Sequence, residues 1–260
     1  MKNEYSFLNR INASLFYHAE SWGILSNKYP KRILQKKVSK AGIYFEVENI
    51  VEANRVRFLD DESKFLKDLL DNLTGTDVLF DIGACIGIYS LHAAPYCKQV
   101  ISFEPEPAFR NHLAKNIAIN MVSNITISPY AISDRSSTQN FFTDGVSGKS
   151  PSLLNDGFQH ELQVDARTLD DIIENEKFEF PTIIKMDIEG AEILALRGME
   201  KLFKICPPRL LFMELHPNYL KNYNSNTDEV ISIITNSNYQ IIKKYQRDEQ
   251  IHIICKSNNN

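Results

Sequence analysis

Five ionisable residues fall into two short runs whose spacing could build a reaction centre. In TIIKMDIEG, Lys185, Asp187 and Glu189 alternate with Ile184, Met186 and Ile188, so an extended chain places the three polar groups on one face. In RLLFMELH, Glu214 and His216 are again two apart and share a face. If these runs are neighbouring strands, all five groups meet at one sheet edge. Such a polar row is costly inside a covered sheet unless its members pair with one another. Imidazole titrates near neutral pH, which makes His216 the first candidate for a general base. Asp187 is the second, with Glu189 or Glu214 orienting an acceptor or the base, and Lys185 reads as a structural counter-ion. A single acid or histidine is more often structural; convergence at one edge is what points to chemistry.

A second constellation is VLFDIGACIGIYSL, Val78 to Leu91, in which an apolar run reaches Asp81 and two glycines, Gly83 and Gly87, lead into a helical pattern. Gly83 permits a tight turn, and Gly87 permits close approach of helix and ligand. A dinucleotide fingerprint starting at Gly83 would need glycine at 85 and 88, where Cys85 and Ile88 stand. Glu104 ends the next strand-like run. Pro105 keeps it extended, and Pro107 suits the first turn of a helix. A carboxylate there can accept from both hydroxyls of a ribose, a role that an adenosyl cofactor or NAD would use equally. Asp81, inside an apolar run, needs donors or a cation. S-adenosylmethionine brings an ammonium and a sulfonium, whereas NAD brings phosphates that an acid repels, so the turn favours the methyl donor. An NAD-dependent oxidoreductase is the rival within the same fold, and a non-catalytic binding module the rival from another class.

The elements that must position these groups become regular from Asp61 onward. In DESKFLKDLLDNL, Phe65, Leu66, Leu69, Leu70 and Leu73 form one helical face. Strands at 78–82, 99–104 and 125–131 alternate with helices at about 87–94 and 107–121, which predicts right-handed crossovers and a mainly parallel sheet. Residues 136–166 read as a strand, a loop near Asp144–Pro151 that could serve as a substrate lid, and another strand. PTIIKMDIEG, a helix from Ala191 to about Phe203 and RLLFMELH resume the pattern. A helix around Asp228–Asn236 and two strand-like runs joined at RDE predict a closing antiparallel hairpin. Residues 1–60 are set apart as an N-terminal extension, a substrate or cap region, from a domain spanning 61–260. Their basic run, Lys31 to Lys40, reads as a solvated face.

With 260 residues, 43% hydrophobic and 24% charged, the chain has the make-up of a globular protein with a sizeable core. A net charge of -4 lacks the basic footprint of a nucleic-acid binder. Cys85, Cys97, Cys206 and Cys255 form no C-x-x-C pair, so free thiols in a reducing compartment are expected, and no metal site. No apolar run reaches the length of about eighteen residues that spans a membrane. Glu4 and Asn9 interrupt the apolar stretch a secretion signal needs, so the expected location is cytoplasmic.

VLFDIGACIGIYSL, VISFEPEPAFRNHLAKNIAIN, YAISDRSS, VDARTLDDII, IIKMDIEGAEILALRGM and LLFMELHP occur in this order. Together they resemble the FkbM family of S-adenosylmethionine-dependent methyltransferases over roughly Asp61 to Pro217. The resemblance implies an α/β, Rossmann-like class I methyltransferase: a mainly parallel seven-stranded sheet with the antiparallel hairpin at its end. It also implies O-methylation of a hydroxyl on a sugar, glycan or small metabolite. By position, Asp81, Gly83, Ala84, Cys85 and Gly87 would form the methionine-side turn, and Glu104 with Pro105 would hold the ribose. Ala131 and Ile132 would lie near the adenine, and Asp187 would border the transferable methyl. Cys85 departs from the asparagine common at that position in the family.

Overall fold

The computed structural model describes residues 31–38, 42–57, 59, 63–143, 151–153, 155, 157–158 and 160–259. Its elements run β1 (Arg32–Lys37), β2 (Gly42–Val47), α1 (Ile50–Arg57), α2 (Ser63–Asn72), β3 (Val78–Ile82), α3 (Ile88–Ala93), β4 (Gln99–Phe103) and α4 (Pro107–Ile119). They continue with β5 (Ile125–Ser128), β6 (Ala131–Ile132), β7 (Ser137–Thr143), β8 (His160–Arg167), α5 (Leu169–Glu176), β9 (Ile183–Met186), α6 (Glu192–Arg197) and α7 (Glu200–Ile205). The remainder is β10 (Leu210–Leu215), α8 (Pro217–Leu220), α9 (Thr227–Asn236), β11 (Tyr239–Arg247) and β12 (Gln250–Ser257).

A seven-stranded sheet in the order β11-β12-β10-β9-β3-β4-β5 carries the fold. From β5 to β10 all neighbours are parallel, and β12 enters antiparallel between β10 and β11. Every residue of β3, β9 and β10 is buried, as strands covered on both faces require. Alternation splits them between two cores. Phe80, Ile82, Ile184, Met186 and Met213 face α5, α6, α7 and α9, whereas Leu79, Ile183 and Phe212 face the Phe65, Leu66 and Leu69 stripe of α2.

The strand expected over 125–131 stops at Ser128, because Pro129 cannot donate to the ladder. Ala131 and Ile132 instead enter a separate three-stranded sheet, β6-β8-β7. The helix expected from Ala191 to about Phe203 is two helices, broken at Gly198-Met199. Most of the proposed lid at Asp144–Pro151 lies outside the described residues.

The described part of the first 60 residues docks on the main sheet's helices. β1 and β2 pair as an antiparallel hairpin. Asn116 of α4 and Asn120 at its C-terminal cap accept from the N–H groups of Glu46 and Tyr44 at 2.8 and 2.9 Å. Phe45, Val47, Ala53 and Val56 share a core with Ile86 and Phe109, which brings α1 against the turn after β3. Among the described residues, no helix is long and apolar enough to cross a membrane.

Candidate active site

The turn after β3 is shaped by what sits behind it. Gly83 has φ 82°, and a Cβ there would lie 1.9 Å from the Asp187 carbonyl oxygen, so only glycine fits. The Gly83 and Ala84 N–H groups both donate to Phe103 O at 3.0 Å, closing the end of β3 onto β4. Cys85 follows with φ 51°, a left-handed conformation held by its N–H donating to Glu104 Oε2 at 2.8 Å. The Glu106 N–H donates to Glu104 Oε1 at 2.9 Å. Burial, only partly offset by these two donors, pushes the Glu104 carboxyl up to about 7. A cavity opens beside this turn, lined by Gly83, Cys85, Glu104 and Pro105, by Ala131 and Ile132, and by Asp187 and Glu189.

Asp81 does not line that cavity. Fully buried, it forms an ion pair with Lys185 Nζ at 3.2 Å and accepts from Ser90 Oγ at 2.5 Å. The cation expected from a ligand is supplied by the protein itself, through the neighbouring strand β9, where Lys185 lies opposite Asp81 in register. Lys185 also donates to Gly83 O at 3.1 Å, fastening the turn; burial disfavours its charge, but Asp81, Asp187 and Glu214 together outweigh burial and push its pKa up. Ala84 and Gly87 likewise stay outside the cavity. They shape its wall: Gly87 has φ 92° and a Cβ there would meet Leu113 at 2.3 Å.

The alternating polar face over 185–189 is corrected too. β9 ends at Met186, Asp187 N donates back to Ile82 O at 3.0 Å, and Glu189 turns left-handed with φ 53°. Lys185 therefore belongs to Asp81, while Asp187 and Glu189 project from a loop into the cavity. β9 and β10 are adjacent and parallel, so Glu214 and His216 arrive at the same edge.

His216 is the hub of this edge. Its Nδ1 lies 2.9 Å from Glu192 Oε1, and its Nε2 lies 3.3 Å from Glu189, 3.7 Å from Asp187 and 3.8 Å from Glu214. Gln250 Nε2 approaches the same nitrogen at 3.2 Å. Burial disfavours the imidazolium, yet the Glu192 hydrogen bond and the charges of Asp187 and Glu189 prevail and push His216 up to about 10. It is 4% exposed and does not line the cavity. Glu214 sits one layer further back, with Oε2 2.9 Å from His252 Nε2. Asp187, Glu214 and His216 bring ligand-type atoms within 4.8 Å of one another. Of the two candidate bases, Asp187 lines the cavity and His216 stands behind it.

Sequence reasoning did not single out Glu192, His252 or the cavity-lining Arg55 and Tyr130. Glu192 was within reach, since it closes the D-x-E-x-x-E spacing of the quoted run. His252 depends on the pairing of β12 with β10, and Arg55 on the docking of α1.

A glycine turn after the first strand of this sheet, a strand-end acid beside it and the inserted antiparallel strand define a Rossmann-like class I methyltransferase fold. The chain belongs to the Methyltransferase FkbM domain family, whose model matches residues 81–241. It is similar to the hexuronic acid methyltransferase AglP of Haloferax volcanii, with 24% identity over 163 residues that cover 63% of this chain and 66% of the relative. An rRNA methylase structure from Streptococcus thermophilus superposes with a TM-score of 0.50 at 10% identity, covering 76% of this chain and 96% of that one. The FkbM methyltransferase of Methylobacillus flagellatus KT gives 0.48 at 20% identity, covering 80% of this chain and 53% of that one. The chain thus spans about two thirds and about half of these last relatives, AglP and the FkbM structure respectively.

Proposed function

We propose that this chain transfers a methyl group from S-adenosylmethionine to an oxygen of a sugar or sugar-derived acceptor in the cytoplasm. The observation that carries the reading is one cavity with two chemically different ends. At one end Glu104 is a buried acceptor with a single backbone donor on each oxygen, which fits the paired hydroxyls of a ribose. Ala131 and Ile132 offer an apolar wall for an adenine beside it. At the other end stand Asp187 and Glu189.

When bound, the donor supplies a methyl carbon already activated on a sulfonium. What remains for the protein is to align an acceptor oxygen, exclude water and take a proton. Asp187 is the base in this reading, because it lines the cavity at the end of β9. Glu189 orients the acceptor, and His216 is a positioning residue that holds both carboxylates in place. Glu214 and Glu192 act through His216, from behind.

AglP is described as a hexuronic acid methyltransferase, and a hexuronic acid offers only oxygen nucleophiles, which supports transfer to oxygen on a sugar. The four free thiols support a reducing compartment. The fold alone does not separate acceptor classes, since an rRNA methylase shares it. The test is therefore a panel: protein and methyl donor with UDP-hexoses, UDP-glucuronate, short glycans and a short RNA, with S-adenosylhomocysteine as the readout. Turnover on a sugar arm supports the reading. Turnover on RNA alone, or donor binding without turnover on any arm, rejects it.

A further inference from the structure

Glu52 and His112 meet across the joint between the N-terminal segment and the helices of the main sheet. Glu52, on α1, is 0% exposed, and His112, on α4, is 6% exposed. His112 Nδ1 lies 2.6 Å from Glu52 Oε1, and its Nε2 lies 3.6 Å from Glu48 Oε2. Glu52 Oε2 accepts from the Glu48 N–H at 2.8 Å, which fastens the loop from β2 into α1. A carboxylate this deep needs a cation or a proton of its own, and the imidazole is the group placed to supply one.

The charges around the pair have other partners. Lys115 of α4 lies 2.9 Å from Glu48 and 3.5 Å from Glu46 of β2, and Lys31, just before β1, lies 2.7 Å from Glu46. Further along α1, Arg55 donates to Cys85 Sγ at 3.3 Å, a neutral thiol that burial pushes up to about 12. Imidazole is the side chain in this set that changes charge near neutral pH. The Glu52 hydrogen bond outweighs burial and, with the charges of Glu52 and Glu48, raises the His112 pKa above 6.5 in spite of Lys115.

What the pair holds is a wall of the cavity. Arg55 lines that cavity, and Ala53 and Val56 on either side of it pack with Phe45, Val47, Ile86 and Phe109. The hairpin in front of α1 has a separate, uncharged attachment, since Asn116 and Asn120 hold its backbone at Glu46 and Tyr44. The charged clasp therefore falls on α1.

We infer that the Glu52–His112 pair is a proton-dependent clasp that keeps α1, and with it one wall of the cavity, closed against α4. Its stabilisation is complete below pH 6.5 and is lost as pH rises through the raised His112 value, because deprotonation leaves Glu52 buried without a cation. Closure of the wall then responds to pH independently of the groups at the reacting end.

The test follows amide hydrogen exchange over residues 53–57 of the full chain from pH 6 to pH 10. Each rate is divided by its unstructured reference, and the buried strand β3 serves as internal control. Protection of α1 in the natural protein should fall by about 10-fold or more across this range, while β3 stays within about 2-fold. In Glu52→Gln no buried charge needs the proton, so protection should stay high and flat. In His112→Gln the carboxylate has lost its cation, so α1 should be weakly protected already at pH 6. A flat profile in the natural protein overturns the inference, as does an equal fall in Glu52→Gln, which would assign the change to another group. The readout uses no donor, acceptor or turnover, so the functional reading can fail while the clasp stands, and the reverse.

Discussion

Two buried carboxylates at opposite ends of the same sheet are treated in opposite ways. At the amino ends of β3, β9 and β10, Asp77 accepts from Thr74 N and Oγ1 at 2.7 and 2.9 Å, from Thr182 Oγ1 at 2.6 Å and from Arg209 Nε and Nη2 at 3.1 and 2.7 Å. Burial acts to raise its pKa, but these donors overcome it and hold Asp77 down at about 2. At the carboxyl ends, Glu104 has two backbone donors, and burial prevails, raising it to about 7. The amino end is finished by the protein's own donors and ties three strands and a helix terminus together. The carboxyl end keeps acceptor capacity unused, in the place where open α/β sheets hold ligands. A saturated acid marks structure, and an undersupplied one beside a cavity marks a binding site.

That contrast can be broken in several ways. The largest expected effect lies at the reacting end. Asp187→Asn should lower kcat by about 10²–10⁴-fold, the range for loss of a general base, while raising the donor KM far less. A variant with unchanged kcat removes Asp187 from the chemistry. At the finished end, Asp77→Ala should cost about 2–4 kcal/mol in urea unfolding, since it removes the carboxylate to which Thr74, Thr182 and Arg209 all donate. Donor affinity per folded molecule should be unaffected. The sign with pH is fixed: Asp77 is depressed below its usual 3.8, so its contribution is present above pH 3.8 and is lost as pH falls through about 2.

His216 should give a smaller effect of the opposite sense. Its folded pKa is raised from 6.5 to about 10, so its stabilisation is complete below pH 6.5 and is lost as pH rises through about 10. His216→Gln should lower Tm by about 2–6 °C at pH 6, and the gap should narrow toward pH 10. On the proposed reading, kcat of the natural protein should show no inflection near 6.5. An inflection there that disappears in His216→Gln would restore His216 as the base.

Much of this architecture was legible in the residues because each element carries its own local signal. The apolar runs at Val78–Ile82 and Leu210–Leu215, the Pro105–Pro107 pair and the two strand-like runs joined at RDE each announce their element, and the strand order completes them. Glu104, Pro105, Ala131, Ile132, Asp187 and Glu189 fall on one cavity, as position in such a sheet implies. Partnership was less legible. Asp81 reads as an acid awaiting a ligand until Lys185 is seen beside it, because that pairing depends on the register of β3 against β9. His216 reads as a neutral imidazole until Glu192, Asp187 and Glu189 are gathered around it. Pattern along the chain locates a group; its charge state belongs to the neighbours that folding delivers.

The most direct test of the central claim is calorimetric titration of S-adenosylhomocysteine into the natural protein and Glu104→Gln at pH 6 and pH 8. Ribose hydroxyls donate to the ionised carboxylate, so affinity for the natural protein should rise as pH increases through about 7. Glu104→Gln should bind about 10-fold or more weakly at pH 8, with little change between the two pH values. Equal affinity of the two proteins at pH 8 would show that Glu104 is as closed a structural acid as Asp77, and the assignment of this cavity to an adenosyl donor would be contradicted.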